Sequence, residues 1–389
     1  MRDSKKIKLN YIQLILKNIN QMGIRVALLN FGFDDYTIEL ANSLVNYVDL
    51  ILIQQEKSSS ACEGVLDERI PVLRFKKPST RNPKNILSMW EMMHLIREVK
   101  PDVLHVQEAY DIWYLLTILL NKTPPLVTTI HDVFSHPGDG ETVFASEYTR
   151  PISFHRSQQL IVHTQLHKQN LNQQFNIPDQ QINVLAHGEL GSLYQRRSHK
   201  RNLSREPYTL LFFGRIWPYK GLKYLLQAMP LVAERFPEVK LIIAGRGENI
   251  DQYFPHGYDE QRYEVMNNYI SYEDVVSLFE RSTVTVLPYI EASQSGVAAL
   301  SYGMGTPVIA SEVGGLKEIV RHQQDGLLVP PGNVQALAYA IIDLLSDRQL
   351  QQKMQLAALS RSKNDLNWSN IAAQTVEVYQ KLVRNPINI

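Results

Sequence analysis

Four stretches of the chain carry residue types that could act on a charged ligand. In residues 210–229 (LLFFGRIWPYKGLKYLLQAM) an apolar run ends at Gly214, a tight loop presents Arg215 and Lys220, and Gly221 opens an amphipathic segment. Two fixed cations beside a helix start suit a diphosphate by charge, by hydrogen bond and by helix dipole. Taken alone, they are also two exposed basic residues on a loop. In residues 241–250 (LIIAGRGENI), Gly245 and Gly247 follow a second apolar run, which lets backbone pass close to a ligand. Residues 285–320 (TVLPYIEASQSGVAALSYGMGTPVIASEVGGLKEIV) form the longest set. There Glu291 lies on a loop, and Ser295, Gly296 and Val297 would start a helix whose first N–H groups can cap phosphate oxygens. A carboxylate just before them could accept hydrogen bonds from sugar hydroxyls, and singly it reads as a solvated loop acid. In the first half, VTTIHDVFSHPGDGE (127–141) sets His131 and Asp132 at the end of an apolar run, with His136 and Asp139 on the loop beyond. Asp132 reads equally as a turn cap and as an acceptor contact. His105 in VLHVQEAY is similarly placed but reads as a packed or backbone-bonded histidine. Trp90, Met92, Met93 and Ile96 sit at the spacing of a helix core.

Such loops need strand ends to hold them. Short β-branched runs at 25–29, 49–53, 70–75, 103–106, 126–130, 160–163 and 182–185 alternate with helix-like stretches at 35–47, 86–100 and 165–175. After a polar segment, 188–207, with no strand or helix period, runs restart at 209–213, 240–244, 283–287, 307–310 and 327–329. Continuous apolar runs separated by helices imply α/β architecture: two Rossmann-like domains, each a parallel sheet flanked by helices. The expected boundaries are a first domain at 1–188, a linker at 189–207 and a second domain at 208–367, with 368–389 as a terminal helix. Twelve of the nineteen glycines follow residue 205, mostly where a strand hands over to a helix, so the second half reads as the nucleotide half.

Composition removes several function classes. The chain has 389 residues, enough for two domains, and 40 Lys+Arg against 39 Asp+Glu give +1, which offers nothing to nucleic acid. One cysteine, Cys62, forms no internal disulfide and fits a reducing compartment. No run approaches a bilayer span, and the N-terminus lacks the apolar core and cleavage site of a secretory leader, so a cytoplasmic protein is expected. Lys5, Lys6 and Lys8 with Ile7, Leu9, Tyr11 and Ile12 are compatible with peripheral membrane contact at the inner face. There is no D-x-D, no ligand-spaced His/Cys/carboxylate set and no G-x-G-x-x-G fingerprint, so neither metal nor nicotinamide or flavin cofactor is expected.

The ordered set resembles the C-terminal domain of the retaining family 4 glycosyltransferases of the GT-B fold. G-R-I-W-P-Y-K-G matches the family's G-R-x₄₋₆-K-G, and the resemblance implies that Arg215 and Lys220 contact the donor diphosphate. Glu291 matches the first family glutamate, implied to hold donor sugar hydroxyls, and Ser295 to Val297 match the amides on the phosphates. Gly214 and Gly245 fall at the matching strand ends of the donor site. The family often has a histidine near the donor sugar, implying that role for His131 across an interdomain cleft, with Asp132, His136 and Asp139 on the acceptor side. The tail N-W-S-N-I-A…V-Y resembles the helix that crosses back to the N-terminal domain. The implied activity is metal-independent transfer, with retention, from a UDP-, GDP- or ADP-linked sugar to a glycan, glycolipid or small-molecule acceptor. Two departures stand out. The second family glutamate is absent, Ala299, Leu300 or Ser301 taking its place, and NFGFDDYTIE has only Gly32 where a Gly-rich turn is common. The missing acid keeps open a second reading, a non-catalytic nucleotide-sugar-binding or regulatory subunit.

Overall fold

The segment DLILIQQ (Asp49–Gln55) is buried at every position, which a strand achieves only when both faces of its sheet are covered. The computed structural model describes residues 23–58, 62–108, 111–134, 143–198, 204–254 and 257–384. His136, Asp139 and the N-terminal Lys5, Lys6 and Lys8 lie outside them. The described chain divides into two units, one of residues 1–163, 167–185 and 368–389, the other of 164–166 and 186–367.

In the first unit β1 (Arg25–Asn30), β2 (Asp49–Gln55), β3 (Val72–Phe75), β4 (Val103–Gln107), β5 (Leu126–Thr129), β6 (Gln159–Val162) and β7 (Ile182–Val184) form one sheet of order 3-2-1-4-5-6-7. Every pairing is parallel. Helices Asn85–Val99 and Ile112–Leu120 close one face with Met92, Met93, Ile96, Leu115 and Ile118 over Ala27, Ile51 and Val106. The terminal helix Trp368–Arg384 belongs to this unit and buries Ile371, Ala372 and Tyr379.

The second unit repeats the plan. Its strands β8 (Thr209–Phe213), β9 (Lys240–Ala244), β10 (Tyr263–Met266), β11 (Val284–Leu287), β12 (Val308–Ser311) and β13 (Gly326–Val329) run in order 10-9-8-11-12-13, again all parallel. Helices Leu222–Arg235 and Val334–Ser346 cover one face, and Tyr272–Arg281 with Gly296–Gly303 the other. In each sheet the strand order reverses once, between β1 and β4 and between β8 and β11. Such a reversal at the C-terminal strand ends is where open parallel sheets usually form a ligand crevice.

Three sequence readings need correction. The 188–207 segment is not without period: Gly191–Arg197 is helical, because Leu193 is fully buried and Arg197 lies 4.0 Å over the Tyr272 ring. Strand β10 has little sequence signal because YEVM is a half-exposed edge with little apolar character. Trp90 is not core; it is 55% exposed while Met92, Met93 and Ile96 are buried. Among the described residues no helix is long and apolar enough to cross a membrane.

Candidate active site

The second unit's switch point is built from two loops. The first leaves β8 through Gly214, exposes Arg215, and coils into the short turn Pro218–Lys220. Gly221 ends that turn at φ +70°, and a Cβ there would lie 1.9 Å from the Pro288 carbonyl oxygen, so only glycine lets the two loops meet. The Ile290 N–H donates to the Tyr219 carbonyl at 2.7 Å, fastening the first loop to the second. Lys220 Nζ is thereby held 3.9 Å over the Tyr289 ring, a cation–π contact that fixes the charge at the crevice. Burial pushes the Tyr289 phenol far above its usual range, so it stays protonated.

Beyond β11, Glu291 is exposed on the loop, and Gly315 donates to the Ala292 carbonyl at 3.2 Å to hold that loop. Ser295 caps the helix Gly296–Gly303, its Oγ accepting from the Ala298 N–H at 3.3 Å. The Gly296 and Val297 N–H groups come too early in the helix to find an acceptor within it, and they carry its positive end. Three further groups lie on these loops. Among the described residues, Trp217 Nε1 and Gln294 Oε1 are buried here with no hydrogen-bond partner, and the buried Tyr289 hydroxyl faces Ser295. Buried polar atoms are normally paired, so two orphans on adjoining loops mark a place for polar ligand atoms. Nothing in residue spacing distinguished them, because Trp, Tyr and Gln are ordinary loop residues.

Two features named from sequence gain a packing account here. Gly245 is needed for packing against protein: at φ +144° a Cβ would lie 1.9 Å from the Gly214 carbonyl oxygen. The positions standing for the missing glutamate are all interior. Ala299 and Leu300 are core, and Ser301 Oγ bonds Thr285 Oγ1 and the Thr306 carbonyl, both at 2.8 Å.

The first unit's switch point has the opposite character. Asn30 ends β1, and its side-chain oxygen accepts from the Gly32 and Phe33 N–H groups at 3.0 Å, which turns the loop and delivers Phe33. The His131 ring stacks on Phe33 at 3.9 Å between centroids and meets the edge of Tyr36. It is 2% exposed, so it is a buried ring. Its Nε2 lies 3.2 Å from Gln107 Oε1, and Gln107 Nε2 lies 3.4 Å from His105 Nε2. His105 also meets Thr129 Oγ1 at 2.7 Å and, through Nδ1, the Tyr379 hydroxyl at 2.6 Å. Burial pushes His105 down to about 3, so it is neutral. With Nε2 accepting from Gln107, Nδ1 donates to Tyr379, and the chain of bonds gives His131 the Nε2–H tautomer.

Glu108, one residue past β4, is the acid that the sequence reading missed. A single oxygen, Oε2, accepts from the His131 N–H at 2.5 Å and the Asp132 N–H at 3.0 Å. Arg150 Nη1 stands 3.8 Å from the other oxygen and donates to the Asp132 carbonyl. Burial nevertheless pushes Glu108 up to about 8, partly offset by Arg150. Its signal in sequence was slight: an acid directly after the strand VLHVQ. Asp132 is half-buried, with its backbone N–H and carbonyl both engaged in this knot.

Family comparisons agree with this frame. Residues 207–347 match the model of group 1 glycosyl transferases, and residues 25–164 match that of the glycosyl transferase 4-like domain. An uncharacterized glycosyltransferase of Methanocaldococcus jannaschii is 28% identical over 253 residues, 62% of this chain and 64% of that protein. The chain thus spans a little under two thirds of that relative's length. The glycogen synthase of Mycobacterium tuberculosis is 25% identical over 292 residues, 73% of this chain and 69% of that one. In fold, the crystal structure of Anabaena HepE with UDP-glucose superposes with a TM-score of 0.71 at 18% identity, over 92% of this chain and 100% of that one. With both domain models matched in order on two all-parallel sheets, the chain belongs to the group 1, family 4 glycosyltransferases of the GT-B fold.

Proposed function

We propose that the protein transfers a sugar from a nucleoside diphosphate donor to a glycan, glycolipid or small-molecule acceptor, without a metal ion and with retained anomeric configuration. The observation that carries this reading is the second unit's switch point, where Lys220 over Tyr289, exposed Arg215 and the Ser295-capped helix start face one crevice. Charge develops on the diphosphate as the glycosidic bond breaks, and fixed cations and amides stabilise it without reorganising. The leaving diphosphate oxygen takes the proton of the acceptor hydroxyl, which then bonds to the anomeric carbon. Glu291 accepts hydrogen bonds from donor sugar hydroxyls, and His131 orders the wall near the transferring sugar. Donor binding falls to residues 208–367 and acceptor binding to residues 1–188. The UDP-glucose named for the Anabaena structure supports uridine diphosphate sugars as the first donors to test.

The test is a thermal-shift and calorimetric comparison of UDP, GDP, ADP and their sugars, followed by turnover with the donor selected. One nucleotide class should bind, and its sugar should be transferred or slowly hydrolysed. Turnover in excess EDTA should stay within a factor of about two, since the cations do the work of a metal. Loss of turnover restored by Mg²⁺ would sink the metal-free part, and an inverted product by NMR would sink retention.

A further inference from the structure

The helices Asn85–Val99 and Ile112–Leu120 carry an outward face that the fold leaves bare. Their inner faces share one core, so both stand on the same side of the first sheet. Their ends are tied together: Trp113 Nε1 donates to the Thr80 carbonyl at 2.8 Å beside one end, and Arg97 Nη2 donates to Asn121 Oδ1 at 2.7 Å beside the other. Side by side they expose Ile86, Leu87 and Trp90 from one helix and Leu116, Leu119 and Leu120 from the other. Leu87 is 67% and Leu120 79% exposed, and Ile112–Leu120 contains no charged residue. Single exposed apolar residues need no explanation, but six on two clamped helices make this side of the unit markedly apolar.

Cations frame the patch at both ends. Arg81 and Lys84 are exposed just before the first helix. Past the other end, Arg97, Lys100 and Lys122 line a cavity of about 480 Å³. The cavity's one acid, Asp102, accepts from the Arg25 N–H at 2.8 Å. On the patch itself, Glu91 and Glu98 are only half-exposed, and Asp111 is paired with Lys77 at 2.9 Å. An apolar strip with Trp at its edge and cations at both ends has the chemistry of an element lying in the headgroup plane of an anionic bilayer. A second copy of this face would set cations against cations.

We propose that this two-helix face docks the protein on anionic phospholipid surfaces, with the Arg97–Lys100–Lys122 cavity taking a phosphate headgroup. The inference does not rest on the proposed transfer reaction. The full chain is sedimented with vesicles of phosphatidylcholine alone and of equal parts phosphatidylcholine and phosphatidylglycerol. The wild type should pellet with the anionic vesicles and remain in solution with the neutral ones. Leu87→Glu with Leu120→Glu should lower anionic-vesicle binding by about tenfold or more, and Lys84→Glu with Lys122→Glu should do the same while keeping the melting temperature. These variants leave the N-terminal lysines in place, so retained binding by both would assign the contact elsewhere and overturn the proposal. Absence of wild-type binding, or equal binding to both vesicles, would also overturn it. So would a dimer by light scattering that Leu120→Glu dissolves without any vesicle binding.

Discussion

The two switch points share a strand topology and differ in how their polar atoms are spent. At β8 and β11 the crevice has an exposed arginine, a lysine poised on a ring, early helix amides, and two buried polar atoms without partners. At β1 and β4 the buried polar groups bond to one another, from Tyr379 through His105 and Gln107 to His131, with Glu108 knotting the adjoining backbone. The first arrangement presents cations and unspent polar atoms and is electropositive. The second spends the side chains of this relay on one another, so it can hold a fixed shape but has little charge to offer. A parallel sheet therefore supplies the place for a site, while the partners left over at the strand ends decide what it binds.

The comparison breaks most readily at the cations. Lys220→Ala or Arg215→Ala should slow turnover by about a hundredfold or more and weaken binding of the free nucleoside diphosphate. The melting temperature should barely move for Arg215→Ala, because that side chain is exposed. Unchanged diphosphate affinity in both variants would remove the phosphate site from this crevice. Glu291→Ala comes next. Charge-assisted bonds to sugar hydroxyls contribute roughly 1.5–3 kcal/mol, so the sugar nucleotide should bind about 10- to 100-fold more weakly while the bare diphosphate binds unchanged. Calorimetry with both ligands separates this from a loop effect, in which the two would weaken together. His131→Ala should reduce turnover by about tenfold and leave diphosphate affinity within about twofold, as expected for a wall residue apart from the phosphates. Equal losses in both, with a lower melting temperature, would make the stacked ring purely a packing element.

What could be read from sequence follows the same division. The loops that carry Arg215, Lys220 and Ser295 were legible because each loop leaves an apolar run, and a run's end is a strand's end. Glu108 was not, since its meaning comes from the backbone of His131 and Asp132 and from Arg150, residues brought close only by the sheet. Gly245 was legible as a close approach but not as to what approaches, for a glycine admits a neighbouring carbonyl as readily as a ligand. Trp90 was misread because Asn85–Val99 is apolar on nearly every side, so its periodicity could not say which face turns inward.

The smallest effect tests whether the first switch point is as quiet electrostatically as its bonding indicates. Burial lifts Glu108 from the ordinary 4.5 to about 8, so between those values the folded chain holds a proton that the unfolded chain has lost. With more protons bound in the native state, stability is greatest below about pH 4.5, falls as pH rises toward 8, and levels off beyond. Glu108→Gln removes this dependence yet can keep the knot, because the His131 and Asp132 N–H groups share one oxygen that an amide can supply. One pKa unit is worth about 1.4 kcal/mol, and each kcal/mol moves the midpoint of a domain this size by about 2–4 °C. Even part of the shift should therefore make the wild-type midpoint fall several degrees relative to the variant between about pH 5 and 8. Melting curves for the two proteins across that range decide it. Parallel curves would mean that Arg150, 3.8 Å away, already keeps Glu108 ionised, and the first switch point would then hold a true ion pair where the comparison has a neutral frame.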